Sequence, residues 1–330
     1  MTASTEIRFE QRIAMSDASP AITDDLSGLS RVEWLDRVED IGIEEGDFVP
    51  LGRDHSAVFI ERDPSVLLVT FEEVDTIRLS SEGGRPLGFA FSERRDWSHL
   101  CILAHGETWF RDERLIHYFD GLVDEGFFEG FDRVVFYGSE MGAYGAGAYS
   151  VAAPGATVLL VQPVATLDAS RTSWDPRFRQ FRRRDFGDRY GYGPEMVEAA
   201  GQSFVIFDPH ERLDAMHAAL FDRGTVTHLR CPYLGGQIEI DLISMGLLDR
   251  ILDLAGDGQL DADAFFRLYR QRRNNARYLR RLLNALEAQN RPWLAALLCE
   301  NAVKRLDRQR FRDGLRSARG QIVDKVTGFR

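Results

Sequence analysis

The chain is short of cysteine, of basic charge and of long apolar runs, and each shortage removes a class of protein. Only three cysteines occur in 330 residues. Cys101, Cys231 and Cys299 lie far apart, are odd in number and form no CxxC pair, so neither a disulfide framework nor a zinc site is suggested. They read as buried thiols of a cytoplasmic protein. Lysine and arginine total 41 against 52 aspartates and glutamates, a net charge of -11. That balance favours solubility and works against nucleic-acid binding. No stretch approaches 18 uninterrupted apolar residues, so no membrane span is expected. The opening MTASTEIRFEQRIAMSDASPAITDD lacks the basic start and apolar run of a signal peptide. There is no early GxGxxG, no GxxxxGK[ST] and no HExxH, so nucleotide and metal cofactors are not implied.

What is present describes a folded protein long enough for one large α/β domain with appendages. Residues 1 to about 29 have linker character. Ser30 and Glu33 form a capping box, and Val32, Leu35 and Val38 recur every three residues, predicting a short helix to about Ile41. From there to about residue 230, short apolar runs alternate with helical patterns. Strands are expected at 57–60, 66–71, 100–104, 134–137, 157–162, 204–207 and 226–229, and helices near 114–123, 141–152 and 212–221. Near-continuous apolar strands alternating with helices imply a mostly parallel sheet flanked by helices.

The organisation expected is an N-terminal extension over 1–55, a catalytic-type domain over 56–256 and a helical region over 257–330. An insertion over about 165–200, rich in arginine and aromatics, has the length of a lid. Two antiparallel helices joined near Gln289 to Pro292 are expected in the last region, with Pro292 in a first turn.

The segment FDRVVFYGSEMGAYGAGAYSVAAPGATVLLV reads strand, sharp turn, helix, strand. A nucleophile elbow requires small residues two positions before and two after the nucleophile, because the turn brings those backbones together. Centred on Ser139, the flanks would be Tyr137 and Met141, both too large. Centred on Glu140, they are Gly138 and Gly142. The turn therefore aims Glu140 into the site.

On these residues the chain resembles the α/β-hydrolase superfamily, in particular bacterial members with a GxSMG elbow, over roughly residues 56–250. The resemblance implies an acid after a later strand, at Asp208 in FVIFDPHE, and a histidine in the loop after the last strand, where Gly235 and Gly236 stand instead. It implies oxyanion-hole amides at Met141 and at Phe71 or its neighbour. Nucleophile and base are thus both substituted.

Two functional classes remain open. One is a degenerate, non-hydrolytic binding or assembly module, with the Glu140 carboxylate folded toward the elbow amides and a protein partner on the C-terminal helices. The other is an ester or acyl hydrolase using Glu140 with Asp208 and His210, the last being otherwise a solvent-exposed histidine. Glutamate at the elbow is one methylene longer than the aspartate of carboxylate-nucleophile relatives, a misplacement of roughly 1 Å that can cost about a hundredfold. His105, ending a strand, is either functional or a structural hydrogen-bonding group. Arg182, Arg183 and Arg184 either bind an anionic ligand or belong to a lid helix whose arginines pair with nearby acids.

Overall fold

The computed structural model of the protein describes residues 20–222 and 224–327. Two compact units divide the chain, Met1–Asp132 and Arg133–Arg330. Most of the segment expected to be linker, residues 1–19, lies outside the described residues. Residues 20–29 are not linker: Ile22 and Leu26 are buried, and the Leu26 N–H donates to the Gly83 carbonyl at 2.8 Å.

In the first unit the capping box forms as expected, with Ser30 and Glu33 each accepting the other's backbone N–H at the start of the helix Arg31–Glu45. The buried face differs from the expected one. Val32 is exposed, whereas Trp34, Val38 and Ile41 are fully buried. Trp34 decides the rotation, because its indole reaches the core and its Nε1 donates to the Gly84 carbonyl at 2.6 Å.

The strands of this unit are β1 (Gly46–Leu51), β2 (His55–Ile60), β3 (Asp63–Glu73) and β4 (Trp97–Ala104), in the order β1-β2-β4-β3. β1 and β4 run antiparallel to β2, and β3 runs parallel to β4. The connection from β3 to β4 carries the helices Val74–Ser80 and Leu87–Arg95, as a parallel pair requires. β1 falls inside the stretch read as an N-terminal extension. Its Pro50 cannot donate to a ladder, which disguises the strand and suits its edge position.

The second unit contains β5 (Val134–Ser139), β6 (Thr157–Val161), β7 (Gln202–Phe207) and β8 (Val226–Arg230), paired in that order and all parallel. β5, β6 and β7 are buried along nearly their whole length, which is why they read as continuous apolar runs rather than alternating ones. Four of the six pairings within the two units are parallel.

After the sheet come the helices Ile238–Ser244, Leu248–Gly256, Ala262–Tyr269, Ala276–Ala288, Pro292–Leu306 and Gln309–Thr327. Pro292 opens its helix in the first turn, as expected. Helix Ala262–Tyr269 contacts β8 and buries Phe265 and Tyr269. Gly314 of the last helix lies so close to its neighbours that a Cβ there would sit 2.9 Å from the Cys299 Sγ. No helix among the described residues is long and apolar enough to cross a membrane.

Candidate active site

The elbow forms at the position that the glycine spacing requires. β5 ends at Ser139, Glu140 turns the chain with φ 51° and ψ -111°, and the helix Met141–Tyr149 starts at the next residue. A positive φ on a non-glycine residue is costly and persists only where its surroundings impose it. Here the Glu140 N–H donates to the Val161 carbonyl at 2.9 Å and its carbonyl accepts the Tyr144 N–H at 3.2 Å. Gly138 cannot be larger: a Cβ there would stand 2.1 Å from the Gly142 carbonyl oxygen. The small residues of the helix, Gly142 to Ala148 apart from Tyr144, are buried, which lets it lie close against β6, with Gly147 facing Leu160. Tyr144 instead reaches across to donate to the carbonyls of Tyr190 and Gly191, each at 3.3 Å.

The second unit is thus a parallel sheet with helices between its strands, and a strand, sharp turn and helix meet at Glu140. Neither a protein-family model nor a curated protein matches the sequence. Solved structures similar to the chain include the glycosylation-associated protein complex Gap123 from Streptococcus agalactiae, at 14% identity and TM-score 0.44 over 63% of this chain and 46% of that one. Another is EstE1, a thermostable carboxylesterase cloned from a metagenomic library, at 12% identity and TM-score 0.40 over 72% of this chain and 98% of that one. A third is the capsule O-acetyltransferase of Neisseria meningitidis serogroup A, at 12% identity and TM-score 0.38 over 62% of this chain and 92% of that one.

Glu140 itself is exposed. Desolvation by the protein crowded around its carboxyl, then the nearby Asp214 charge, push its pKa above the ordinary glutamate value, while Arg177 pulls it back. Those two neighbours belong to a cluster that the sequence did not announce. Arg177 donates to Asp214 Oδ1 at 2.6 Å and, through Nε and Nη2, to the buried Asp175. Gln162, which follows β6 in a left-handed conformation, donates to Asp214 Oδ2 at 3.0 Å and accepts the Ile238 N–H at 2.8 Å. His217 completes the group, 3.0 Å from Asp175 Oδ2.

Both ring nitrogens of His217 have hydrogen-bond partners. Its Nδ1 accepts the Ala165 N–H at 3.2 Å, so its Nε2 carries the proton given to Asp175. Burial holds its pKa below the ordinary histidine value despite the Asp175 charge, which acts the other way. For Asp175, burial alone would raise the pKa, but hydrogen bonds from Arg177 and His217 win and the net shift is downward. The one sequence signal for this cluster was the aspartate two positions before Arg177, in DPR.

Asp208 stands just after β7 and is buried. Its Oδ1 accepts the backbone N–H of His210 at 2.9 Å and its Oδ2 that of Gly235 at 2.7 Å. The acid is therefore bonded to the loop in which the histidine was expected, through a main-chain amide. Arg281, from a helix beyond the sheet, donates to the Leu234 carbonyl in the same loop and to the buried Asp241. His210 is exposed, and its ring stacks on Tyr233 with centroids 4.2 Å apart. His228, on β8, bonds to the Ala218 carbonyl at 3.0 Å. Gly236 is exposed, and a Cβ built on it meets nothing within 4 Å.

The insertion is not a lid helix. Residues 173–192 hold only a single 3-10 turn, Arg179–Phe181, because the Asp175 and Arg177 side chains bond to one another and to the helix Arg212–Leu220 rather than continuing a helical turn. Arg182 is half-buried and donates to the carbonyls of Thr172 and Asp175; Arg183 is exposed and Arg184 half-buried. In the first unit, Phe71 is buried on β3, its ring 5.9 Å from that of Phe119. His105 is structural: its two ring nitrogens lie 3.0 Å from the Ser56 Oγ and from the Arg53 carbonyl.

Proposed function

We propose that the chain is a non-hydrolytic binding or assembly protein on a hydrolase-type scaffold, with the triad's nucleophile replaced by Glu140 and its histidine by the Gly235–Gly236 loop. The observation that carries this reading is the commitment of both Asp208 oxygens to backbone amides, one of them in that loop. A triad acid acts by orienting an imidazole and stabilising its charged form, and here it orients main chain. The other histidines of the second unit are engaged elsewhere, His217 in the Asp175 cluster and His228 with Ala218.

The interaction surface in this reading is on the C-terminal helices. Trp293, Leu294 and Leu297 form an exposed apolar stripe on one helix, the kind of patch that marks a protein contact. Arg183 is available to an anionic ligand, whereas Arg182 is occupied by carbonyls. Three free buried cysteines suit a reducing compartment, so the cytoplasm is the proposed location.

Incubation with a fluorophosphonate probe and a panel of p-nitrophenyl esters tests the proposal. The expected result is neither serine labelling nor turnover above buffer. Ester turnover that Glu140→Gln abolishes would overturn it and establish a carboxylate nucleophile.

A further inference from the structure

On the first unit, three metal-ligating side chains of different chemistry converge on one face of two parallel strands. Register pairs Thr70 of β3 with Cys101 of β4, and Leu68 with His99. Strand alternation therefore puts Thr70 and Glu72 on the same face as His99 and Cys101. One ligating atom each from Glu72, His99 and Cys101 lies within 4.8 Å of the others. His99 and Cys101 are fully buried, and Glu72 is half-buried.

We propose that Glu72, His99 and Cys101 form a binding site for a divalent transition-metal cation, zinc being the best chemical match. The donor set is one thiolate, one imidazole and one carboxylate, which suits a borderline-soft cation better than magnesium or calcium. Charge favours it as well. In a buried site an isolated ion is costly, and a divalent cation with one thiolate, one carboxylate and a neutral imidazole sums to zero. On binding, the Cys101 S–H bond is replaced by a sulfur–metal bond. Its proton, and that of Glu72 where the carboxyl is protonated, passes to the buffer past Glu72, the member nearest solvent.

The surroundings hold these ligands in place. Thr70 Oγ1 donates to Glu72 at 2.6 Å and lies 2.9 Å from the His99 Nε2, a position from which it can hydrogen-bond the ligands or fill a fourth coordination site. The Leu87 N–H donates to Glu72 at 3.1 Å. Gly88 leaves room for the imidazole, since a Cβ there would lie 2.1 Å from the ring. The His99 Nδ1 is buried and has no hydrogen-bond partner among the described residues. Bonds of about 2.0–2.3 Å to one tetrahedral ion require ligand atoms about 3.3–3.8 Å apart. The Cys101 Sγ to Glu72 contact of 3.4 Å already meets that, and the remaining closure asks for about 1 Å of side-chain movement.

The test is a titration of the full-length, chelator-treated protein with cobalt(II), a spectroscopic stand-in for zinc. The expected result is a thiolate-to-cobalt charge-transfer band saturating at one equivalent, displaced by zinc, absent in Cys101→Ser and retained in Cys299→Ser. Zinc should raise the melting temperature of the native chain and not that of Cys101→Ser. Glu72→Gln, a half-buried change that spares the core, should weaken zinc binding by about tenfold or more. No charge-transfer band in the folded native chain, or a band that survives Cys101→Ser, would show a purely hydrogen-bonded cluster and overturn the site. Should Cys101→Ser fail to fold, the native titration and Glu72→Gln decide the question without it.

Discussion

The carboxylate of Asp208 and the backbone N–H of Gly235 are joined at 2.7 Å, across 27 residues of sequence. A charge-assisted bond to a buried amide contributes more than a neutral one, about 1.5–3 kcal/mol. Asp208→Ala should therefore destabilise the fold by about 2–3 kcal/mol, read from urea unfolding. An unchanged midpoint would mean that the loop holds its shape without the acid.

In the proposed reading, the two substitutions from a hydrolase triad, Glu140 and Gly236, are separable. Glu140→Ser alone lacks a base to activate its hydroxyl, and Gly236→His alone lacks a nucleophile. The double variant supplies both, with open space around position 236 for the ring and the Met141 amide at the start of the helix after the elbow. Because triad members act as a unit, the gain should be strongly non-additive. Fluorophosphonate labelling at position 140 in the double variant alone is the expected outcome. Labelling of the Glu140→Ser single variant would point to a base supplied from elsewhere.

Arg182 and Arg183 should differ from one another. Arg183→Gln, at an exposed position, should change stability by less than about 0.5 kcal/mol. Arg182→Gln removes donors to the Thr172 and Asp175 carbonyls and should cost about 1–2 kcal/mol. Chemical unfolding of the two single variants makes the comparison, and equal effects would contradict the contacts.

His217 makes stability depend on pH in one direction. Its folded pKa is depressed by burial, so as pH falls below the unfolded value of about 6.5 the unfolded chain takes up a proton that the folded chain refuses. Its contribution is complete above that value and is lost as pH falls toward the folded pKa. The urea midpoint should drop between about pH 7 and about pH 5.5, and less steeply in His217→Gln. Parallel slopes for the two proteins would show that the histidine is not the cause.

The C-terminal helices present one buried face and one exposed stripe. Phe265→Ala, in a fully buried position, should cost about 3–5 kcal/mol. Trp293→Ser and Leu297→Ser, at exposed positions, should leave unfolding of the isolated chain within about 0.5 kcal/mol of the parent. Truncation after Gly256 should expose the β8 contact of helix Ala262–Tyr269 and cause aggregation, detectable by light scattering. A soluble truncated protein with an unchanged melting temperature would contradict that packing.

Short-range rules were legible in the amino-acid order. The runs at 57–60, 66–71, 100–104, 134–137, 157–162, 204–207 and 226–229 correspond to seven strands; those buried on both faces, such as β5, β6 and β7, demand continuous apolar residues. The elbow register was legible too, since Gly138 and Gly142 answer a clash between backbones only four positions apart. β1 was hidden by Pro50, and the rotation of the first helix by the size of Trp34. What tertiary structure alone decided is which distant groups meet. Asp208 bonds to an amide at 235, Arg281 reaches back to the Leu234 carbonyl, and Glu72 comes to face His99 and Cys101 through strand register. No local periodicity encodes these meetings: a hydrogen bond or a ligand set depends on a few ångströms in space, and the intervening chain fixes that distance only once it has packed.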